Sequence, residues 1–537
     1  MPRFESRVDA GGDAAQRNRG DWLRLIEDFR MAEARTRAAS DRALPTFKRR
    51  GQLPPRVRIA RALDPGSPFL ELATLAGWCQ DGRSADETVP GAGIIAGIGY
   101  VRGVRCMIQA TDSGIDAGAI QPMGLQKQLR VMAICLENNL PFLHLVESAG
   151  ANLLNYRVQD FVGGGGLFRN LARLSAAGIP VITVVHGSST AGGAYMPGLS
   201  DYNIMVRGRA RAFLAGPPLL RAATGEIATE EELGGAEMHA HLSGLCEYLA
   251  EDDADAIRLA REVVGRLDWP SQNDRGGDGT APHYDAEELL GIVPLDGRKS
   301  YDVREVVARI VDSSDLLDFK PLYGPHTVCL HACVDGHRVG IIGNNGPIDP
   351  QGATKASHFI QTCCQNATPI LYLQNTTGYI VGRASEEAGM IKHGAKMIQA
   401  VTNANVPQIT LFIGASYGAG NYGMCGRAYE PRFAFSWPNA KISVMGAEQA
   451  SMTMRIVAEA KAQRTGQLDL AEIEDTSRRI TEMFESQSSA LYTSGLLLDD
   501  GVIDPRDTRR VLSYVLSICR EGDRRVTRPV QFSVGRH

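Results

Sequence analysis

The stretch Pro180–Tyr195 reads PVITVVHGSSTAGGAY. Val181–Val185 is an apolar run rich in β-branched residues, with the length and composition of a buried strand. His186 and Gly187 end the run. Ser188, Ser189 and Thr190 then precede Ala191, Gly192, Gly193 and Ala194, and a Ser/Thr cluster before small residues marks a helix N-terminus. The local reading is strand, tight turn, helix start. Glycines carry no Cβ, so a ligand oxygen can come close to their backbone N–H groups. Open N–H groups at a helix start, helped by the helix dipole, stabilise negative charge. Gly192 and Gly193 therefore read as a main-chain oxyanion hole.

The pattern returns. Pro407–Tyr422 reads PQITLFIGASYGAGNY. Laid over the first copy, Pro180 meets Pro407, Thr183 meets Thr410, Gly187 meets Gly414, Gly193 meets Gly420 and Tyr195 meets Tyr422. Upstream, LPFLHLVESAGA (Leu140–Ala151) lies over TPILYLQNTTGY (Thr368–Tyr379), and MIQATDSGID (Met107–Asp116) over GIIGNNGPID (Gly340–Asp349). Three blocks in one order at nearly constant spacing indicate an internal duplication of domain size, far longer than a solenoid repeat. In 537 residues this predicts two tandem domains. Repeated strand–helix–strand units with crossovers make them layered α/β.

Apolar content of 44% and charged content of 22% are those of a globular enzyme. A net charge of −4 gives no reason to expect nucleic acid. No apolar run reaches the ~20 residues of a membrane span. Glu5, Asp9 and Asp13, without a hydrophobic segment, argue against a leader sequence. The ten scattered cysteines read as reduced thiols, which predicts a cytoplasmic protein.

In chain order, residues 1–20 are expected to be disordered and a surface helix to run from Asp21 to about Ala43. Phe47–Arg50 with Arg56, Arg58 and Arg61 reads as a solvated basic face, with a phosphate contact as the alternative. The first domain is set at 21–275 and the second at 285–530. Trp269–Tyr284, rich in Gly, Pro, Asp and Asn, is the linker. Val101-Arg102-Gly103-Val104 predicts a hairpin, as does Leu330–Ile342. Val162–Gly166 is expected to be a flexible loop ahead of a helix starting near Leu167. Ala458–Ser489 reads as one long charged helix.

Several motifs point elsewhere. Gly91, Gly93 and Ala96 fit the loose dinucleotide pattern, but the strand before and helix after it are missing. Gly414-Ala415-Ser416-Tyr417-Gly418 matches the nucleophile elbow of a serine hydrolase. The histidine it needs must follow, and only His537 does. His186, closing a buried strand, reads as a structural residue. Cys329, His331 and Cys333 share one strand face, but no second pair has zinc-like spacing, so no metal is expected. There is no P-loop. Lys396-Met397 is not a biotin attachment site, so the mobile cofactor is not on this chain. Two oxyanion sites without a nucleophile suggest an enolate facing a second activated carbonyl.

STAGGAYMPGLSDY (Ser189–Tyr202), FLAGPPLLRAATGE (Phe213–Glu226), LGGAEMH (Leu233–His239) and Gly414–Ala450 resemble the carboxyltransferase (beta) subunits of biotin-dependent acyl-CoA carboxylases, in the methylcrotonyl-CoA and geranyl-CoA branch. The resemblance, over about residues 20–530, implies two crotonase-like domains and an acyl-CoA substrate. It implies a hexameric beta core joined by six alpha subunits, the partners that use ATP and bicarbonate and carry the biotin. It implies that Gly192 and Gly193 receive the thioester enolate oxygen, and Ala419 and Gly420 the ureido oxygen of carboxybiotin. The family's active site lies between the first domain of one subunit and the second of a neighbour. Methylcrotonyl-type members have Phe-Gly-Arg where this chain has Gly164, Gly165 and Gly166. Loss of the ring at Gly164 would open the acyl pocket, which favours geranyl-CoA over 3-methylcrotonyl-CoA. A non-catalytic acyl-CoA-binding scaffold is the remaining alternative.

Overall fold

The computed structural model describes residues 4–150, 157–269, 279–465 and 470–535. They divide into two compact units, Met31–Asp274 with Arg520–His537, and Met1–Arg30 with Arg275–Cys519. Each holds one copy of the repeat.

The first unit is built on an eight-stranded sheet. Its strands are β1 (Leu70–Glu71), β2 (Ile94–Val101), β3 (Val104–Thr111), β4 (Phe142–Ser148), β5 (Val181–Thr190), β6 (Tyr202–Val206), β7 (Arg211–Phe213) and β8 (Tyr248–Ala250). The order is β1-β2-β3-β4-β5-β6-β8, with β7 also on β5. β2 and β3 form the expected hairpin, with Arg102 and Gly103 at φ of 52° and 77°. Two adjacent left-handed residues match the twist of a two-residue hairpin turn. From β3 onward the pairing is parallel, and the central strands are buried at successive residues, β4 throughout and β5 from Val181 to Gly187. Ile95, Ile108, Leu143, Val184 and Ile204 pack with Ile257 and Val264 of helix Asp253–Arg266.

The second unit repeats the plan with β9 (Leu317–Asp318), β10 (Thr327–Val334), β11 (His337–Asn344), β12 (Ile370–Thr376), β13 (Gln408–Tyr417), β14 (Phe433–Ser436) and β15 (Lys441–Ser443). The order is β14-β13-β12-β11-β10-β9, with β15 also on β13. The β10–β11 turn again has two left-handed residues, Asp335 and Gly336. Cys329 lies in the core, and His331 packs 4.8 Å from the Phe359 ring, as sheet-face residues do.

Several expectations are corrected. Helix α1 (Asp13–Asp41) starts earlier than Asp21, and the residues before it are hydrogen-bonded. Ser6 donates to Glu305 Oε2 at 2.6 Å, and the Phe4 carbonyl accepts from Tyr284 at 3.0 Å. Trp22 is fully buried against Trp437 and donates to the Val293 carbonyl, which draws residues 21–30 into the second unit. Asn139 donates to the Gly522 carbonyl, which draws the chain after Cys519 into the first unit. The long helix is two, Ala447–Thr465 and Leu470–Ser488. Part of the expected linker, 270–278, lies outside the described residues.

The glycine loop is also corrected. Helix α4 (Pro122–Asn138) is followed by helix α5 (Val158–Ala176), and Gly163–Gly166 lie inside α5. Glycine is the weakest helix former after proline, which is why the run reads as a loop. Burial of Leu167, Leu171 and Leu174 on one face carries the helix through it. A Cβ on Gly166 would stand 3.1 Å from Leu129 of α4, so that glycine permits close helix packing.

Candidate active site: two matched turns

The central strands β5 and β13 share one irregularity. β5 pairs through Ile182–Val185 with β6, then through Ser188–Thr190 with β7. β13 pairs through Ile409–Phe412 with β14, then through Ala415–Tyr417 with β15. On the other side, the β4–β5 register shifts between Val146 and Ser148, and the β12–β13 register between Gln374 and Thr376. The residue in each shift, Glu147 or Asn375, lays its side chain over a glycine of the central strand. A Cβ on Gly187 would be 2.7 Å from Glu147 Oε1, and one on Gly414 would overlap the Asn375 amide. Those two glycines match in the repeat because the crossing requires them.

Past the shift, each central strand ends in a left-handed residue, Ala191 at φ 53° and Gly418 at φ 54°. A helical turn follows: Ala191–Ala194 in the first copy, Ala419–Gly423 in the second. Gly192 and Ala419 are exposed, whereas Gly193 and Gly420 are buried. Tyr195 and Tyr422 stand beside them with 48% and 47% of their surface exposed. Both turns therefore present a bare helix start, where the first N–H groups have no partner in the helix. Supporting contacts also repeat. Gly150 N–H donates to Ser148 Oγ at 3.1 Å, and Gly378 N–H to Thr376 Oγ1 at 3.2 Å.

The surroundings differ in charge. Beneath the first turn, Arg58 of helix α3 (Pro55–Ala62) is 1% exposed and donates to Glu147 Oε2 at 3.0 and 3.1 Å. It also lies 3.2 Å from Asp253 Oδ2, and Asp253 Oδ1 is 3.0 Å from His186 Nδ1. Burial alone would raise the Asp253 carboxyl, but its bonds to His186, its nearness to Arg58 and the Leu53 N–H hold it down to about 2. Burial and Arg58 lower the pKa of His186, against the opposing pull of Asp253 and Glu147. The solvated face expected for Arg56, Arg58 and Arg61 is thus corrected for two of them. Arg58 is buried, and Arg56 makes a two-pronged pair with Glu71 at 2.9 Å.

Beneath the second turn the groups are neutral. Ser416 donates to Gln374 Oε1 at 2.5 Å and accepts from Asn421 at 2.7 Å. Gln374 donates to the Met424 carbonyl at 2.7 Å. Ser416 is fully buried, which removes the nucleophile elbow as a catalytic site. Among the described residues no cluster of His, Cys, Asp or Glu is built to hold a metal, and no helix is long and apolar enough to cross a membrane.

The glycines of α5 are brought near the first turn through Phe168. Its ring is 3.4 Å from the Cβ position of Gly192 and 5.6 Å from the Tyr195 ring. Gly164 precedes Phe168 by one helical turn and shares its face. A Cβ on Gly164 or Gly165 would meet nothing within 4 Å.

The sequence reading missed Arg58, Glu147, Gln52 and Asp253. The aligned blocks do place Glu147 over Asn375, a charged residue over a neutral one, and that contrast was the available signal.

A duplicated α/β chain with a bare turn after each central strand defines a class. Residues 47–531 match the family described as the carboxyl transferase domain. The chain belongs to that family and, within it, to the beta subunits of biotin-dependent acyl-CoA carboxylases. It is 52% identical to the beta subunit of geranyl-CoA carboxylase from P. aeruginosa, whose crystal structure superposes with a TM-score of 0.93 over 99% of this chain and 100% of that one. It is 51% identical, over 88% of both chains, to a probable biotin-dependent acyl-coenzyme A carboxylase beta2 subunit of Mycobacterium tuberculosis. It is 44% identical, over 96% of this chain and 92% of the other, to a probable mitochondrial methylcrotonoyl-CoA carboxylase beta chain of Drosophila melanogaster.

Proposed function

We propose that the chain transfers CO2 from carboxybiotin, carried by a partner subunit, to the γ carbon of geranyl-CoA. The observation that carries this reading is the pair of matched bare turns. Gly192 and Gly193 receive the thioester oxygen as it gains enolate charge. Ala419 and Gly420 receive the ureido oxygen. The neutral amides and hydroxyls beneath the second turn suit a ureido carbonyl, which brings no counter-charge. When bound, carboxybiotin supplies the CO2 and the proton acceptor. The chain contributes position and fixed dipoles, each main-chain donor lowering the barrier by about 3–4 kcal/mol.

The open space at Gly164 and Gly165, one turn from Phe168, supports the longer acyl chain. The likeness to methylcrotonoyl-CoA carboxylase beta chains supports 3-methylcrotonyl-CoA as the second reading. The partner is an alpha subunit that consumes ATP and bicarbonate, on a hexameric beta core in a dodecamer of six alpha and six beta chains, in the cytoplasm. The test is bicarbonate fixation by the reconstituted holoenzyme, comparing kcat/KM on the two thioesters. A clear preference for geranyl-CoA supports the reading. A preference for 3-methylcrotonyl-CoA replaces the substrate, and fixation with neither overturns the assignment.

A further inference from the structure

We infer that the buried Arg58–Glu147 pair, with Gln52 and Asp253, is a positioning device for the first turn. This rests on the reading of Gly192 and Gly193 as the enolate site. Glu147 sits in the register shift where β5 leaves regular pairing with β4. Its neighbour Ser148 packs beneath the turn, with Cβ and Oγ each 3.8 Å from the Cβ position of Gly193. Glu147 is thus fixed one residue from the floor of the turn.

The carboxylate is held from several sides. Arg58 takes Oε2 with two N–H groups, and Gln52 Nε2 donates to Oε1 at 3.0 Å. The same Gln52 nitrogen donates to the His186 carbonyl on β5 at 3.2 Å. Arg58 also holds Asp253, which ties His186 of β5 and accepts the Leu53 N–H at 2.7 Å. The segment between α3 and helix α2 (Leu44–Arg50) is thereby pinned onto the bend of β5. Such buried ion pairs contribute little net stability compared with apolar replacements. The second copy makes the same bend with a neutral Asn375. The fold alone thus does not require the charge. Glu147 lies one residue from the floor of an anion site, and the Arg58 guanidinium beside it offsets part of the charge that Glu147 and Asp253 bring there.

The test uses the full chain in its holoenzyme. Glu147→Gln keeps volume and the Gln52 contact. Arg58→Met with Glu147→Met, made as a double variant in an Asp253→Asn background, removes all three buried charges together. Each variant is read by melting temperature, kcat and KM for acyl-CoA, and amide exchange at residues 191–195 and 419–423. The expected result for the double variant is a near wild-type melting temperature, a kcat about 100-fold lower and an unchanged KM. In both variants, exchange at 191–195 rises about tenfold while 419–423 stays fixed. If the double variant does not fold, Glu147→Gln carries the same readouts. Recovery of melting temperature and kcat together in the double variant makes the pair merely structural and overturns the inference. So does exchange that is unchanged, or raised equally at both turns. The exchange readout does not depend on the substrate, so it stands or falls apart from the assigned reaction.

Discussion

The two turns share a backbone and differ in what lies under it. The first rests on the buried charges of Arg58, Glu147 and Asp253, with His186 bonded to Asp253; the second rests on Gln374, Ser416 and Asn421, all neutral. They also differ in room. At Gly420 a Cβ would press within 2.8 Å of the Gly378 backbone, whereas at Gly193 it would meet side-chain atoms at 3.5–3.8 Å. The repeat thus keeps one strand–turn–helix unit and sets a different support under each copy.

The largest predicted effect follows from that difference in room. Gly420→Ala forces backbone apart at the second turn and lowers fixation about 100-fold, the effect of losing an oxyanion donor. Gly193→Ala stays within a few-fold of wild type, because its Cβ meets ordinary contacts. Parallel kcat measurements on the holoenzymes check this; equal losses would erase the contrast.

A smaller effect is expected at α5. Gly164→Phe fills the open space beside Phe168 and lowers kcat/KM on geranyl-CoA by about tenfold more than on 3-methylcrotonyl-CoA. Removing a mid-helix glycine also raises the melting temperature slightly. Equal losses on both thioesters would remove the pocket argument.

The smallest effect concerns a lysine that recurs in both copies. Lys127 of α4 is buried and donates to the Ile94 carbonyl at 2.6 Å. Lys355 of helix Pro350–Gln365 donates to the Lys320 carbonyl at 3.2 Å. Burial lowers the Lys127 ammonium to about 8. Unfolded chain keeps that proton up to 10.5 and folded chain releases it near 8, so the unfolded state binds more protons in that window. Stability from this group therefore rises with pH from about 8 to 10.5. Melting curves of Lys127→Met against wild type should lack that rise.

The duplication, both bare turns and both hairpins were legible because glycines and left-handed turn residues leave marks in sequence. The α5 helix was not. Gly163–Gly166 has the composition of a loop, and only the burial of Leu167, Leu171 and Leu174 decides otherwise. The network beneath the first turn was hidden for another reason. Arg58 reads as a surface residue, and its partners Glu147 and Asp253 lie 89 and 195 residues away in the chain. Only tertiary structure pairs a buried charge over such distances.

The central claim is that the second turn is a separate set of donors, distinct from acyl-CoA binding. Ala419 is the first residue of its helix, where proline fits the backbone and removes one N–H. The most direct measurement is CO2 fixation by an Ala419→Pro holoenzyme, alongside its acyl-CoA Kd and melting temperature. The account predicts a kcat about 100-fold lower, with Kd and melting temperature unchanged. Full activity, or a loss that tracks weakened acyl-CoA binding, would contradict it.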